Sequence, residues 1–305
     1  MRLKKVWYKI LSKVLIGQTR KRYEEKYKKI KERLKTDLSV TTGIDGKSFY
    51  GKINPYIAAA LRKESNVLFN QLELFRTAGI LHSKTFSKYK NIHCGRDIVL
   101  IATGPTLNDF RPIKDAVYVG VNRSFLCDNL KLDYLFMQDY VAVKDYIELS
   151  QNYKNKRLKR FYGILQAEIE DKWIIPEAIA IKHNAERYYA WSAWNLNKVP
   201  VYEYFPADIT AKPLACFGSV VFPAMQFIFY TNPRRIYIVG CDCENTGHFN
   251  NSKKVASDPN FTEVKRGWKL IKKFQEIYYP ETQIISVNPV GLKGLFEDLY
   301  QERRE

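Results

Sequence analysis

From Asp97 onward the chain alternates short apolar runs with longer amphipathic or apolar stretches. This is the pattern of a parallel sheet with helices on both faces. The runs are DIVLIA (97–102), AVYVGV (116–121), LDYLFM (132–137), EAIAIK (177–182), RIYIVG (235–240) and TQIISV (282–287), each predicted as a strand. Helices are predicted for SVVFPAMQFIFY, opened by Gly218 and closed by Pro233, and for VKRGWKLIKKFQEIYY, just before the last strand. Upstream, Leu3, Val6, Trp7, Ile10, Leu11, Val14 and Leu15 recur at helical spacing with lysines off the stripe, which predicts an N-terminal amphipathic helical arm. Between them NPYIAAALRKESNVLFNQLELFRTAGIL turns helical in its second half, with Gly79 as its stop. The expected organisation is an arm over 1–40, a helical connector over 41–95 and a Rossmann-like α/β domain, with a mostly parallel sheet, over 96–305.

Charge changes the picture only at one end. The first 35 residues hold fourteen Lys/Arg against three Glu, so +11 of the formal +18 sits in the arm. The body is left with a weak basic balance, which argues against a nucleic-acid partner. An apolar stripe rimmed by Lys4, Lys5, Lys9 and Lys13 suits an anionic membrane surface, so residues 1–19 are expected to lie on the inner face of the cytoplasmic membrane. The same stripe would also suit the protein's own body or a second copy of the chain in a homo-oligomer. No apolar span of about twenty residues and no signal-peptide pattern is present, so a cytoplasmic, peripheral protein is expected. The five cysteines follow neither disulfide nor zinc spacing.

In open parallel sheets ligands bind beyond the carboxyl ends of the strands, and that rule selects four stretches. IATGPTLND places Thr103, Gly104, Pro105 and Thr106 at a strand-to-helix turn, where backbone N–H groups attract phosphate or carboxylate. It has neither the dinucleotide G-x-G-x-x-G spacing nor the Lys-Ser/Thr of a Walker loop. VGVNRSF supplies Asn122 and Arg123, and LFMQDY supplies Gln138 and Asp139, amides and charges able to read a nucleotide or clamp its phosphate. ACFGSVV opens a helix with Gly218 and Ser219. After RIYIVG, the polar tail CDCENTGH carries Asp242, Glu244 and His248. His248 is the candidate general base for a hydroxyl acceptor, because an imidazole titrates near neutral pH, with Asp242 or Glu244 as its orienting carboxylate. No D-x-D pair or zinc spacing occurs, and neither a metal nor a cofactor is expected.

Taken in order, ATGPTL, VGVNRS, FGSVVFPAMQFIFY and RRIYIVGCDC resemble the bacterial sialyltransferases that cap lipooligosaccharide, whose pattern runs G-N-G-P-S-L, C-N, S-G before a helix, and I-Y-L-S-G-I-D. The resemblance spans roughly residues 97 to 290 and extends to pterin pyrophosphokinase-like and motility accessory factor relatives. It implies a sialyltransferase-like sheet of the glycosyltransferase A type and metal-independent transfer from a CMP-activated, sialic-acid-like or related acidic sugar. Asn122 and Ser219 would then contact the nucleotide, and Asp242 would close the donor site. Two positions depart from the pattern: Thr103 stands where the family has its first Asn, and residues 249–268 lack the family's histidine and tyrosines. The expected activity is a glycosyltransferase extending a cell-surface polysaccharide, such as a capsule or lipooligosaccharide, or a lipid-linked glycan. The alternatives are a pyrophosphokinase-like phosphoryl transferase on the same fold and a non-catalytic membrane-attached scaffold.

Overall fold

The computed structural model describes residues 21, 24–26, 28–29, 77–166, 174–193, 201–244, 247–250 and 261–301. The chain divides into two compact units, Met1–Leu74 and Phe75–Glu305. In the first, the described residues between 21 and 29 are helical. The amphipathic stripe of residues 3–15 lies outside the described residues.

The second unit is built on nine parallel strands: β1 (Asp97–Ile101), β2 (Val117–Val121), β3 (Tyr134–Met137), β4 (Lys159–Gln166), β5 (Glu186–Ser192), β6 (Leu214–Cys216), β7 (Arg235–Val239), β8 (Gln283–Val287) and β9 (Glu297–Leu299). Their order is β6-β5-β4-β3-β2-β1-β7-β8-β9, and every neighbouring pair is parallel. Successive side chains of β1 alternate between two cores, Ile98 and Leu100 in one and Val99 and Ile101 in the other. A strand buried on both faces reads as an unbroken apolar run, which is why five of the six predicted strands are found as expected.

The sixth is not a strand. EAIAIK forms α1 (Glu177–Lys182), entered from Pro176, with Ala180 buried and Ile181 74% exposed. A short apolar run has no period that separates helix from strand, and here only one side of it meets the core. The positions to either side hold the true strands, β4 and β5, whose Lys159, Arg160, Glu186 and Arg187 interrupt the apolar pattern.

One face of the sheet carries α2 (Val221–Tyr230) and α3 (Phe261–Tyr278). All ten residues of α2 are buried, and its lone polar side chain, Gln226, donates to Ala215 O at 2.9 Å and accepts from Ala215 N–H at 3.2 Å. Pro223 falls in the first turn of α2, where its missing N–H costs no intrahelical bond. On α3 the buried residues Val264, Gly267, Trp268, Ile271 and Phe274 form a single stripe. The helix of residues 77–86 and the turn after it belong to this unit as well, with Phe86 and Tyr89 inside the same core.

Two histidines of this scaffold are structural. His82 donates from Nδ1 to Ile209 O at 2.9 Å and accepts Tyr189 N–H at Nε2 at 2.8 Å, so its neutral form uses both nitrogens. Burial pushes its pKa down to about 4, against the opposing effect of the Ile209 and Lys212 carbonyls. His93 Nε2 meets Tyr134 OH at 2.9 Å, and burial, with Arg96 beside it, likewise lowers it to about 4. The unfolded chain therefore takes up protons at these sites between pH 6.5 and 4 while the folded chain does not. Their contribution is complete above pH 6.5 and lost as pH falls toward 4. By pH 5 the loss is about 2 kcal/mol for each histidine. Urea unfolding at pH 7 and pH 5 should differ by roughly 4 kcal/mol from this source. Equal unfolding free energies would contradict it.

Candidate functional site

The connections run one way from β1 out to β6 and then cross to β7 on the other side of β1. The crevice beyond the carboxyl ends of β1 and β7 is thus the topological switch point, where open α/β sheets bind ligands. A cleft opens there, lined by residues of four loops and two helices, including Thr103, Gly104, Asn122, Gly218, Ser219, Asp242, Glu244 and His248. Eight of the thirteen residues selected from the sequence therefore share one wall-to-wall site.

Backbone pairing between β1 and β7 continues past the strands, with Ala102 N–H to Val239 O and Gly104 N–H to Gly240 O, both at 2.8 Å. Gly240 makes the bend at φ +68°, and the chain then buries Asp242 to 5% exposure. The Asp242 carboxylate accepts the backbone N–H of Thr106 at 3.2 Å and the Thr106 hydroxyl. Burial pushes the Asp242 carboxyl above the usual range, the two Thr106 bonds oppose that, and the negative fields of Glu244 and Asp109 add to it. The Gly-Pro-Thr turn thus already holds an anion, the protein's own, where the sequence suggested a place for a ligand phosphate. The segment after it, Pro105–Asp109, is a five-residue 3-10 turn. Pro105 and Thr106 stand behind the cleft rather than on its wall.

His248 reaches the cleft from the tail after β7, following Gly247 at φ +87°. Its Nδ1 lies 3.1 Å from Thr103 Oγ1. Burial, then the positive field of Arg123, lowers its pKa below the usual 6.5, with the Thr103 backbone carbonyl opposing. The imidazole is therefore neutral at neutral pH. His183, the remaining histidine, is tied to Tyr162 OH at 2.8 Å and to Glu148 at 3.3 Å, away from the cleft.

Across from His248, Gly218 (φ +75°) and Ser219 start α2 with its first turn on the cleft wall, and Ser219 Oγ accepts Val221 N–H at 3.4 Å. Phe261, Val264 and Trp268 of α3 close an apolar side. These three were missed as site residues. Their helical spacing marks a buried face, but nothing local says that the face ends at a ligand cleft. Gly267 lets α3 come this close, since a Cβ there would sit 2.5 Å from the Phe222 ring.

Asn122 turns at φ +46° on the end of β2, and its Oδ1 is buried without a partner among the described residues. The structure places the other three candidates off the cleft wall. Arg123 stacks 5.0 Å over the Tyr146 ring and acts on His248 through its field. Gln138 is buried between Tyr188 OH and Cys216 Sγ, each 3.4 Å away. Asp139 sits in a rare conformation (φ 68°, ψ 90°), with burial raising its carboxyl pKa against the N–H groups of Ala142 and Val141. Left-handed residues thus recur at the ends of β2, β3, β7 and β8, at Asn122, Asp139, Gly240 and Asn288. Such backbone strain gathers where loops are held for function.

Among the described residues no three His, Cys, Asp or Glu side chains come together as a metal-binding group. The cleft carboxylates have other partners: Asp242 is held by Thr106, and Glu244 lies 3.7 Å from Lys265 Nζ. All five cysteines are free, and burial raises the Cys241 and Cys243 thiols far from a reactive range. No described helix is long and apolar enough to cross a membrane.

No family model matches the chain, and no curated protein does. Among solved structures it is similar to the sialyltransferase CstII from Campylobacter jejuni in complex with the substrate analogue CMP-3FNeuAc, at 15% identity over 68% of this chain and 86% of that one, with a TM-score of 0.39. A second structure of that enzyme, with cytidine-5'-monophosphate, matches at 15% identity over 64% and 80% with a TM-score of 0.35. A third, described as CST-II with a trisaccharide acceptor and CMP, matches at 12% over 68% and 87% with a TM-score of 0.34.

Proposed function

We propose that the chain is a glycosyltransferase that takes a sugar from a nucleotide-activated donor, CMP-linked, and adds it to a hydroxyl of a glycan or lipid-linked acceptor in cell-surface polysaccharide assembly. The observation that carries this reading is His248, neutral and held in the cleft at the switch point, facing the helix start at Gly218 and Ser219. The acceptor hydroxyl would lose its proton to His248 Nε2 as its oxygen bonds to the anomeric carbon. In the same displacement the bond from that carbon to the phosphate oxygen breaks, and CMP leaves with the electron pair. The start of α2 turns the positive end of a ten-residue helix to the cleft, which would favour the phosphate. Asn122 Oδ1, lacking a partner among the described residues, would accept a donor N–H or O–H of the bound nucleotide or sugar. The apolar side at Phe261 and Val264 would take a base or a sugar face.

Thermal-shift and calorimetric titration with CMP, UMP, GDP and ADP test the reading, because a ligand of the native state raises its stability. CMP is expected to bind best, and CMP-sugars to support transfer. Binding of none of them would leave the scaffold reading, and ATP-dependent phosphoryl transfer would replace the proposal outright.

Activity is expected to survive EDTA at about the untreated rate. The single phosphate of a CMP-sugar would face the positive end of α2, and the cleft carboxylates are engaged with Thr106 and Lys265. Loss in EDTA, restored by Mn²⁺ and abolished in Asp242→Ala, would make the corner at Asp242 and Glu244 a metal site.

The basic amphipathic segment of residues 1–19 supports attachment to an anionic membrane surface beside a lipid-linked acceptor. The full chain should sediment with anionic vesicles at low salt and detach as salt rises, since the attraction is screened over about 10 Å at 0.1 M. Salt-independent sedimentation would argue for a different attachment.

A further inference from the structure

The wall that holds His248 comes from β1, more than a hundred residues earlier in the chain. Thr103 bonds to the segment twice: its hydroxyl meets His248 Nδ1 at 3.1 Å, and its carbonyl accepts Phe249 N–H at 3.0 Å. Asn108, in the 3-10 turn that follows Thr103, donates from Nδ2 to Phe249 O at 3.0 Å. Both backbone polar groups of the residue after His248 are thus taken by one six-residue stretch of the β1 loop, and so is one nitrogen of the imidazole. Gly247, at φ +87°, supplies the bend that brings the chain to this stretch.

We infer that Thr103 and Asn108 are positioning residues for His248, forming a three-bond clamp in which Thr103 Oγ1 accepts Nδ1–H and the Nε2 lone pair is left to the cleft. The inference rests on reading His248 as the base that takes the acceptor's proton. It also gives Thr103 a different task from the one that its resemblance position implies. An amide there could reach a nucleotide with both a donor and an acceptor, whereas the single hydroxyl of Thr103 is engaged with the imidazole. A hydroxyl is suited to that task. It can accept Nδ1–H without adding a second charge to the cleft, and acceptance is the direction that a base requires, because it leaves the Nε2 lone pair for the acceptor's proton. Holding residue 249 at both its N–H and its C=O fixes the ring's origin, and the Thr103 bond fixes its rotation. A base displaced by about 1 Å can cost up to 100-fold in rate.

Three variants of the full chain, Thr103→Val, Thr103→Ser and Asn108→Ala, test the clamp by two independent readouts. The first is the ¹⁵N spectrum of the His248 ring without substrate. The wild type and Thr103→Ser should show the Nδ1–H tautomer. Thr103→Val, which keeps the shape but loses the hydroxyl, should shift it toward Nε2–H. The second readout is steady-state transfer. Thr103→Val should lower kcat roughly 10- to 100-fold with the donor KM unchanged. Thr103→Ser should recover most of the rate, and Asn108→Ala, which leaves the imidazole bond intact, should lose less than Thr103→Val. A tautomer unaltered in Thr103→Val overturns the clamp. So does a raised donor KM at unchanged kcat, which would make Thr103 a contact of the nucleotide. If no donor supports transfer, the ring spectrum still decides the clamp, while the proposed activity alone fails.

Discussion

Replacing His248 with alanine lowers turnover by about 100-fold or more while the donor binds as before. A general base acts only as the acceptor's proton leaves, so its removal falls on kcat and spares the ground-state complex. The pH profile carries a second signature. Burial first, and the field of Arg123 next, depress the imidazole below 6.5, so the base form persists to lower pH than for a free histidine. The acid limb of kcat/KM should therefore lie below pH 6.5, with the rate falling as pH drops through it. Arg123→Gln removes one of the depressing fields and should move the limb upward. Steady-state rates of His248→Ala with a CMP-sugar decide the matter: turnover equal to wild type ends the assignment.

Gly104→Ala is expected to cost about 3 kcal/mol and to abolish turnover, because overpacking and the loss of bonds to a buried carboxylate fall on one point. Gly104 has φ −70° and ψ 159°, a conformation open to any residue, so alanine meets no backbone penalty. The obstacle is space. A Cβ would lie 2.6 Å from Asp242 Cγ, from Asp242 Oδ2 and from the Gly240 carbonyl oxygen, far inside ordinary contact. To admit it, the Gly104 N–H bond to Gly240 must open or the carboxylate must leave Thr106, and either change separates the loops after β1 and β7 that build the cleft. For a unit of this size, 3 kcal/mol corresponds to a fall in Tm of roughly 6–12 °C, readable by calorimetry. A variant that melts with the wild type and turns over normally would show that these loops yield without loss.

Both predictions concern contacts between residues distant in the chain, which is where reading the sequence stopped being sufficient. The strands β1, β2, β3, β7 and β8 were legible because burial on both faces leaves no polar position to break the run. The face of α3 was legible from its helical spacing. β4 and β5 were not, since charged residues at their entrances and aromatic residues along them imitate no simple period, while EAIAIK imitates a strand and packs as α1.

The site divides in the same way. That polar residues would gather beyond the carboxyl ends of the strands follows from the α/β pattern alone, and Thr103, Gly104, Asn122, Gly218, Ser219, Asp242, Glu244 and His248 do so. The fold class and the part of the cleft wall that these eight residues make were readable from the chain, because each depends on which residue types stand at the end of which run. Packing alone sets that β1 lies against β7, that Thr106 spends its donors on Asp242, that Thr103 bonds His248, and that Gln138 turns away to Tyr188 and Cys216. Apolar runs buried on both faces carry no mark of which neighbour they pair with. The partner of a hydroxyl or carboxylate depends on that pairing, so it is settled when the sheet closes and not before.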